Sequence, residues 1–166
     1  MAGDPASAIL GSIGQTQIIY LSVEIVMFRF EKYQQQHHEI VGTVTDILEQ
    51  LNENAIKSRP DLVHSLLSRL YSQLHEHLVL EDQTLYPDLL HHRDEAVRTA
   101  AEQFMKEMGG LNNAFKEYLN CWQTSDNLQI DPQSFIQASR RIFDALAKRI
   151  AKEDLELYPM AAKVGG

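Results

Sequence analysis

A histidine and a glutamate lie one helical turn apart on an apolar stripe. His77 and Glu81 are four residues apart, so their side chains project from one helix face, together with Leu74 and Leu85. An imidazole and a carboxylate that face an apolar core are costly unless they are hydrogen-bonded, paired or bound to a metal. Glu153 holds an equivalent inward position in the last helical pattern of the chain. These residue types at this spacing favour a metal site, with a hydrogen-bonded pair as the simpler alternative.

The first helical pattern contributes a second histidine. His37 lies near the middle of its apolar arc, whereas His38 lies about 100° further round, toward the edge. We therefore favour His37 over His38 as the candidate ligand. Two imidazoles and two carboxylates form a ligand set for iron, manganese or zinc. A two-histidine, one-carboxylate set with open positions is one that iron(II) uses to bind dioxygen.

Four amphipathic helical patterns position these residues, and short polar breaks separate them. The first pattern places Val41 and Leu48 inward, and the fourth begins at Pro132, behind the N-cap residue Asp131. No long run alternates with period two, so the chain is predicted to be all-α. Long helices with short connections favour an antiparallel, up-down-up-down four-helix bundle. The predicted helices cover residues 30–51, 61–90, 94–122 and 132 onward.

The second half of the chain repeats the first. A constant offset of 72 residues relates the second helical pattern to the fourth, and an offset of 71 relates the first to the third. The repeat predicts two helix hairpins related by a pseudo-two-fold axis. The matched positions are His77 with Arg149, Glu81 with Glu153, and His37 with Met108.

Three segments resemble the signature of the hemerythrin-like (HHE cation-binding) family, which would cover about residues 29–162. The resemblance implies a four-helix bundle around a pair of non-haem irons, with two helices supplying histidines to each iron and carboxylates bridging them. By position, His37 and His77 correspond to the ligands of one iron, and Glu81 and Glu153 to the bridging carboxylates. The segments are Gln36–Ile40, His77–Pro87 and Lys152–Pro159.

Two positions depart from that resemblance. Met108 and Arg149 stand where the histidines of the second iron are expected. Arginine does not deprotonate to become a ligand, but its charge could replace part of the charge of the missing iron by pairing with Glu153 or Glu81. The expectation is one tightly held metal ion at most. Non-haem iron is the first candidate, zinc and manganese are alternatives, and a metal-free protein is the remaining one.

Charge narrows the classes of function. A formal net charge of -8 argues against nucleic acid or an anionic membrane surface as the partner.

The leading hypothesis is a metal-binding protein with dioxygen or nitric oxide as its ligand, acting in sensing, storage or protection. The alternative is a metal-free bundle that acts through protein contacts or as a homodimer. An enzyme is less favoured, because the sequence contains no nucleophile–base arrangement or phosphate-binding glycine loop.

The first part of the chain is expected to lie outside the bundle. Residues 1–28 are interpreted as an extension and residues 29–166 as the domain, with Met27 as a hypothetical native start. The apolar segment 18–28 is too short to span a bilayer, and no basic region precedes it, so a secretory signal is not predicted. Cys121 has no partner for an internal disulfide, which suits a reducing compartment. The expected location is the cytoplasm.

Overall fold

The structure, a computed structural model, describes residues 30–164. The predicted extension 1–28 and the proposed start at Met27 lie outside the described residues. Every regular element between residues 30 and 164 is a helix, and this part of the chain contains no strand. The all-α prediction is confirmed.

Four long helices carry the fold, and shorter ones connect or extend them. A π-helical turn, Glu153–Leu157, joins the last long helix to the final short one. In chain order the α-helices are α1 (residues 30–50), α2 (Glu53–Ser58), α3 (Pro60–Thr84), α4 (Tyr86–Leu90), α5 (Glu95–Cys121), α6 (Ser125–Ile130), α7 (Pro132–Lys152) and α8 (Tyr158–Val164).

Two long helices begin where the sequence predicts. The side chain of Asp94 accepts a hydrogen bond from the backbone N–H of Ala96 at 2.9 Å, which caps α5. Asp131 accepts from the N–H of Ser134 at 3.1 Å, and Pro132 is the first residue of α7. A proline suits that position because its missing N–H would have no partner inside the helix.

The polar breaks 52–59 and 123–130 contain short helices, which the sequence analysis did not predict. Asn52 caps α2 by accepting from the N–H of Ala55 at 2.9 Å, and Thr124 caps α6. Each helix buries one aliphatic side chain completely, Ile56 in α2 and Leu128 in α6. These side chains close one end of the apolar core, so tertiary burial stabilises helices that are too short to form alone.

The second and fourth long helices end differently, although their sequences match. The predicted helix 61–90 is interrupted at Leu85, two residues before Pro87, which cannot donate to the helical ladder. Near Pro159 the chain instead widens into the π turn, where the N–H of Tyr158 bonds to the carbonyl of Glu153. The repeat therefore carries two different backbone geometries.

Two separate apolar cores fill the interior. The first joins the C-terminal part of α1 and of α5 to the N-terminal part of α3 and to α7, from Phe135 to Ile150. The second joins the start of α1 and of α5 to α4, the π turn and α8. Along their helices, His37, His77 and Met108 lie between residues of the first core and residues of the second, whereas Arg149 lies beside Ile150, the last first-core residue of α7. The polar cluster thus occupies the level between the cores.

The inward face of α1 differs from the prediction at two positions. Val41 and Leu48 are each 45% exposed, whereas Ile40 and Ile47 are completely buried. Residues four apart in a helix drift by about 40° around its axis, so two successive steps of four leave the buried face. Cys121, the last residue of α5, is exposed.

Ile47→Ala tests this register of α1. Removing a fully buried isoleucine side chain is expected to lower the free energy of unfolding by about 2–5 kcal/mol. The neighbouring Leu48→Ala serves as the matched control, with an expected loss of about 1 kcal/mol or less. Urea unfolding followed by circular dichroism measures both values, and a larger loss for Leu48→Ala would contradict the register.

Candidate metal centre

Three buried ligand atoms from three elements converge on one point. His37 Nε2 in α1 lies 3.2 Å from His77 Nε2 in α3 and 3.0 Å from Glu153 Oε2 in the π turn. The third separation, from His77 Nε2 to Glu153 Oε2, is 3.8 Å. All three residues are at most 3% exposed. The three atoms form a group that could hold a metal ion.

The separations suit a single first-row metal ion. Ligand atoms about 2.1 Å from a metal lie about 3.0 Å apart at a right angle and about 3.4 Å apart at a tetrahedral angle. The shortest observed separation, 3.0 Å, equals the value for a right angle, and the next is 3.2 Å. The longest, 3.8 Å, is slightly wider than the value for a tetrahedral angle. One ion therefore fits between the three atoms with small side-chain adjustments.

Two hydrogen bonds decide which ring nitrogens carry the protons. His37 Nδ1 lies 2.9 Å from Asp154 Oδ1, and a carboxylate only accepts, so Nδ1 is the donor. His77 Nδ1 lies 3.2 Å from Gln36 Oε1, an amide oxygen that also only accepts. In the neutral rings both Nε2 atoms are consequently unprotonated acceptors. They face each other and Glu153 Oε2, an arrangement that a cation at the shared point stabilises.

Without a metal, a proton on His37 supplies this cation. Burial lowers the pKa of His37, but its hydrogen bonds and charge interactions with Glu153 and Asp154 outweigh that effect and raise it. Burial lowers the pKa of His77. The proton therefore resides on His37 in preference to His77. A metal ion that binds there displaces it.

Glu81 borders the three-atom group and has one unsatisfied oxygen. Its Oε1 accepts from the Tyr158 hydroxyl at 2.8 Å. Its Oε2 has no hydrogen-bond partner and lies 3.8 Å from His77 Nε2. Burial, reinforced by the charge of Glu153, raises the pKa of Glu81 to about 8. A buried oxygen without a partner costs about 1–3 kcal/mol, which a metal ligated by Oε2 would remove.

Arg149 contacts Oε1 of Glu153, whereas the histidines face Oε2 of the same carboxylate. Its Nε donates to Glu153 Oε1, its Nη1 to the carbonyl of Phe104 at 2.9 Å, and its Nη2 to the hydroxyl of Tyr86 at 3.0 Å. Burial raises the pKa of Glu153, but its interactions with His37 and His77 and the charge of Arg149 outweigh this and hold it well below its usual range. Glu153 is therefore an anion shared between Arg149 on one oxygen and the histidines on the other.

Tyr158 closes the cluster on the side of the second core. Its ring stacks on His37 with centroids 5.5 Å apart and on Tyr33 with centroids 5.1 Å apart. Its hydroxyl donates to Glu81 Oε1 and lies 3.3 Å from His37 Nε2. Burial raises the pKa of Tyr158 far above its ordinary value, so the hydroxyl remains a neutral donor.

The remaining candidate residues lie apart from the converging atoms. Met108 is buried and lines, with Tyr86, a cleft of about 430 Å³ between α3 and α5. His38 is exposed on α1, and the structure does not bring it to the cluster.

The sequence matches the model of the hemerythrin HHE cation binding domain over residues 30–161. The chain belongs to this family. Neither a search of curated proteins nor a search of solved structures found a match. Membership suggests cation binding, and His37, His77 and Glu153 form the corresponding candidate site in this HHE domain. Within residues 30–164, no helix combines the length and the apolar character needed to cross a bilayer.

Sequence reasoning missed two residues of this HHE-domain site. Asp154 and Gln36 accept the Nδ1 protons of the two histidines. Each is the chain neighbour of a candidate ligand, and on a regular helix a neighbour points about 100° away. A polar residue beside each ligand was the available signal, but only the fold shows that both residues reach a ring nitrogen.

Arg149→Met tests the electrostatic balance of the cluster. Removing the guanidinium leaves Glu153 as a buried anion with less compensation, so the free energy of unfolding is expected to fall by about 3–5 kcal/mol in the presence of a chelator. The double variant Arg149→Met with Glu153→Gln is expected to recover part of that loss, because it removes both charges. Urea unfolding measures the difference, and equal losses in the two variants would contradict the pairing.

Proposed function

We propose that this HHE domain binds one divalent metal ion through His37, His77 and Glu153, with Glu81 as a fourth ligand. The observation that carries the proposal is the convergence of two bare imidazole nitrogens and a carboxylate oxygen on one buried point. The unpartnered Oε2 of Glu81, at the edge of the same point, supports it further.

Non-haem iron is the proposed metal, with zinc or manganese as alternatives. Imidazole and carboxylate donors suit all three, and two histidines with one carboxylate leave coordination positions open. Iron bound in such a set supplies redox chemistry and binds diatomic molecules. We extend the proposal to dioxygen or nitric oxide as the ligand and to sensing, storage or protection as the role, in the cytoplasm.

The proposed stoichiometry is one ion per chain. Arg149 donates to Glu153 Oε1, the carboxylate oxygen that would otherwise be available to a second ion. Met108 offers only a weak thioether acceptor. A permanent cation already lies where the repeat would require another imidazole, so a second metal ion would meet a like charge and find no histidine.

The proposal includes the up-down-up-down topology and the two-hairpin repeat. Support comes from the two cores: the end of α1 and the beginning of α3 share the first core, whereas the beginning of α1 and α4 share the second. The same alternation relates α5 to α7. This arrangement supports antiparallel neighbours and a common level for the matched positions of the repeat.

A metal-free, protein-binding bundle is the second candidate. The observation that favours it is the internal compensation of the cluster, in which Arg149 pairs with Glu153 and Tyr158 donates to Glu81. Such a bundle would act through protein contacts or as a homodimer. The metal measurements below separate the two candidates.

Metal analysis of protein purified without chelators tests the leading proposal. We expect about one ion per chain, and we expect EDTA to lower the melting temperature because a bound ion stabilises the folded state by linkage. His77→Ala should abolish binding, whereas His75→Ala, which changes an exposed histidine on the same helix, should retain it. Stoichiometry near zero with an unchanged melting temperature would favour the metal-free bundle.

The double variant Met108→His with Arg149→His tests why only one ion binds. Two imidazoles in place of a thioether and a fixed cation should raise the capacity toward two ions per chain. Inductively coupled plasma mass spectrometry measures the ratio, and circular dichroism verifies the fold. A folded double variant that still binds a single ion would argue against the second half-site.

A further inference from the structure

The π turn brings two consecutive acids onto one imidazole. Glu153 Oε2 lies 3.0 Å from His37 Nε2, and Asp154 Oδ1 lies 2.9 Å from Nδ1 of the same ring. Neighbouring residues of a regular α-helix point in directions about 100° apart, so both rarely reach one side chain. The wider π turn places both carboxylates against His37.

The matched position in the repeat shows a different arrangement. Asp82 follows Glu81 as Asp154 follows Glu153, but it lies within the regular α-helix α3 and is exposed. The carboxylate contact on the outer nitrogen of a histidine thus accompanies the π turn rather than the Glu-Asp sequence itself.

Ring stacking and the Asp154 contact constrain different properties of His37. Tyr158 lies against the ring at an interplanar angle of 22°, which holds the plane of the imidazole. Stacking does not select the nitrogen that carries the proton, since a neutral imidazole can carry it on either one. The carboxylate of Asp154 accepts only from a protonated Nδ1, which leaves the lone pair on Nε2.

We propose that Asp154 is a positioning residue for metal binding, which holds His37 with Nδ1 protonated and Nε2 directed at the shared point. The inference rests on the proposed metal site. Carboxylates that accept from a ligating histidine orient the ring and raise its basicity, and their loss lowers metal affinity roughly 10–100-fold. Asp154 touches no candidate coordination point itself, so its effect passes through His37. Its side chain is 34% exposed, so a substitution there leaves the apolar cores intact.

Zinc affinity measured by competition with a chromophoric chelator tests the proposal on the full chain. Asp154→Asn keeps the shape of the side chain and removes its charge, and Asp154→Ala removes the acceptor. Both are expected to bind Zn²⁺ roughly 10–100-fold more weakly than the unaltered protein. Asp82→Asn is the matched control, because it changes the same residue type at the equivalent position of the repeat, and its affinity should stay within twofold.

Nitrogen-15 spectra of the histidines in the zinc-loaded protein supply the second readout. His37 should show a protonated Nδ1, with its proton shifted downfield by the carboxylate, and a zinc-bound Nε2. In Asp154→Ala that proton signal should move upfield or exchange with water, which a purely structural effect would not cause.

The outcomes distinguish the inference from the function on which it rests. An unaltered protein that binds no Zn²⁺ overturns the metal site itself. An unaltered protein that binds zinc while Asp154→Asn matches Asp82→Asn overturns the role of Asp154 alone. A zinc-loaded spectrum in which His37 ligates through Nδ1 also overturns it, without the need for any variant to fold.

Discussion

Electron-rich atoms that face one another inside an apolar interior impose the central constraint on this structure. The buried carboxylates of Glu81 and Glu153 share the level between the two cores with two imidazoles whose bare nitrogens point at the same place. Such a cluster is stable only when cations or donors compensate it. Arg149 and Tyr158 each compensate one carboxylate oxygen, and the remaining acceptors require a proton or a metal ion.

This compensation is divided unequally between the positions that match in the sequence repeat. On one side His37 and His77 offer nitrogens whose charge state depends on what binds. On the other side Arg149 provides a positive charge that does not change with pH or metal supply. Membership of the HHE family suggests cation binding. In this chain the guanidinium group of Arg149 supplies one positive charge from the protein itself.

The backbone also differs between the two segments that match in sequence, one before Pro87 and the other before Pro159. Pro87 and Pro159 occupy matched positions, yet the chain breaks into α4 before the first and forms a π turn before the second. The π turn is the element that places Glu153 Oε2 against His37 Nε2 and Asp154 Oδ1 against Nδ1 of the same ring. Both carboxylate contacts on His37 thus come from the part of the chain that also carries Arg149.

Much of this protein follows from local sequence. Helix type, the caps at Asp94 and Asp131, and the inward positions of His37, His77 and Glu153 follow from rules that act within one or two turns. These features depend on backbone hydrogen bonds and on the period of the apolar residues, and both can be read along the chain.

Other features were decided by packing between distant segments. Periodicity locates a side chain around a helix only to within about 40°, so it could not place Val41 and Leu48 on the exposed side. The short helices α2 and α6 depend on burial of Ile56 and Leu128 against the ends of other helices. The contact between Asp154 and His37 joins residues separated by 117 positions through a π turn, and only the folded chain brings their atoms together.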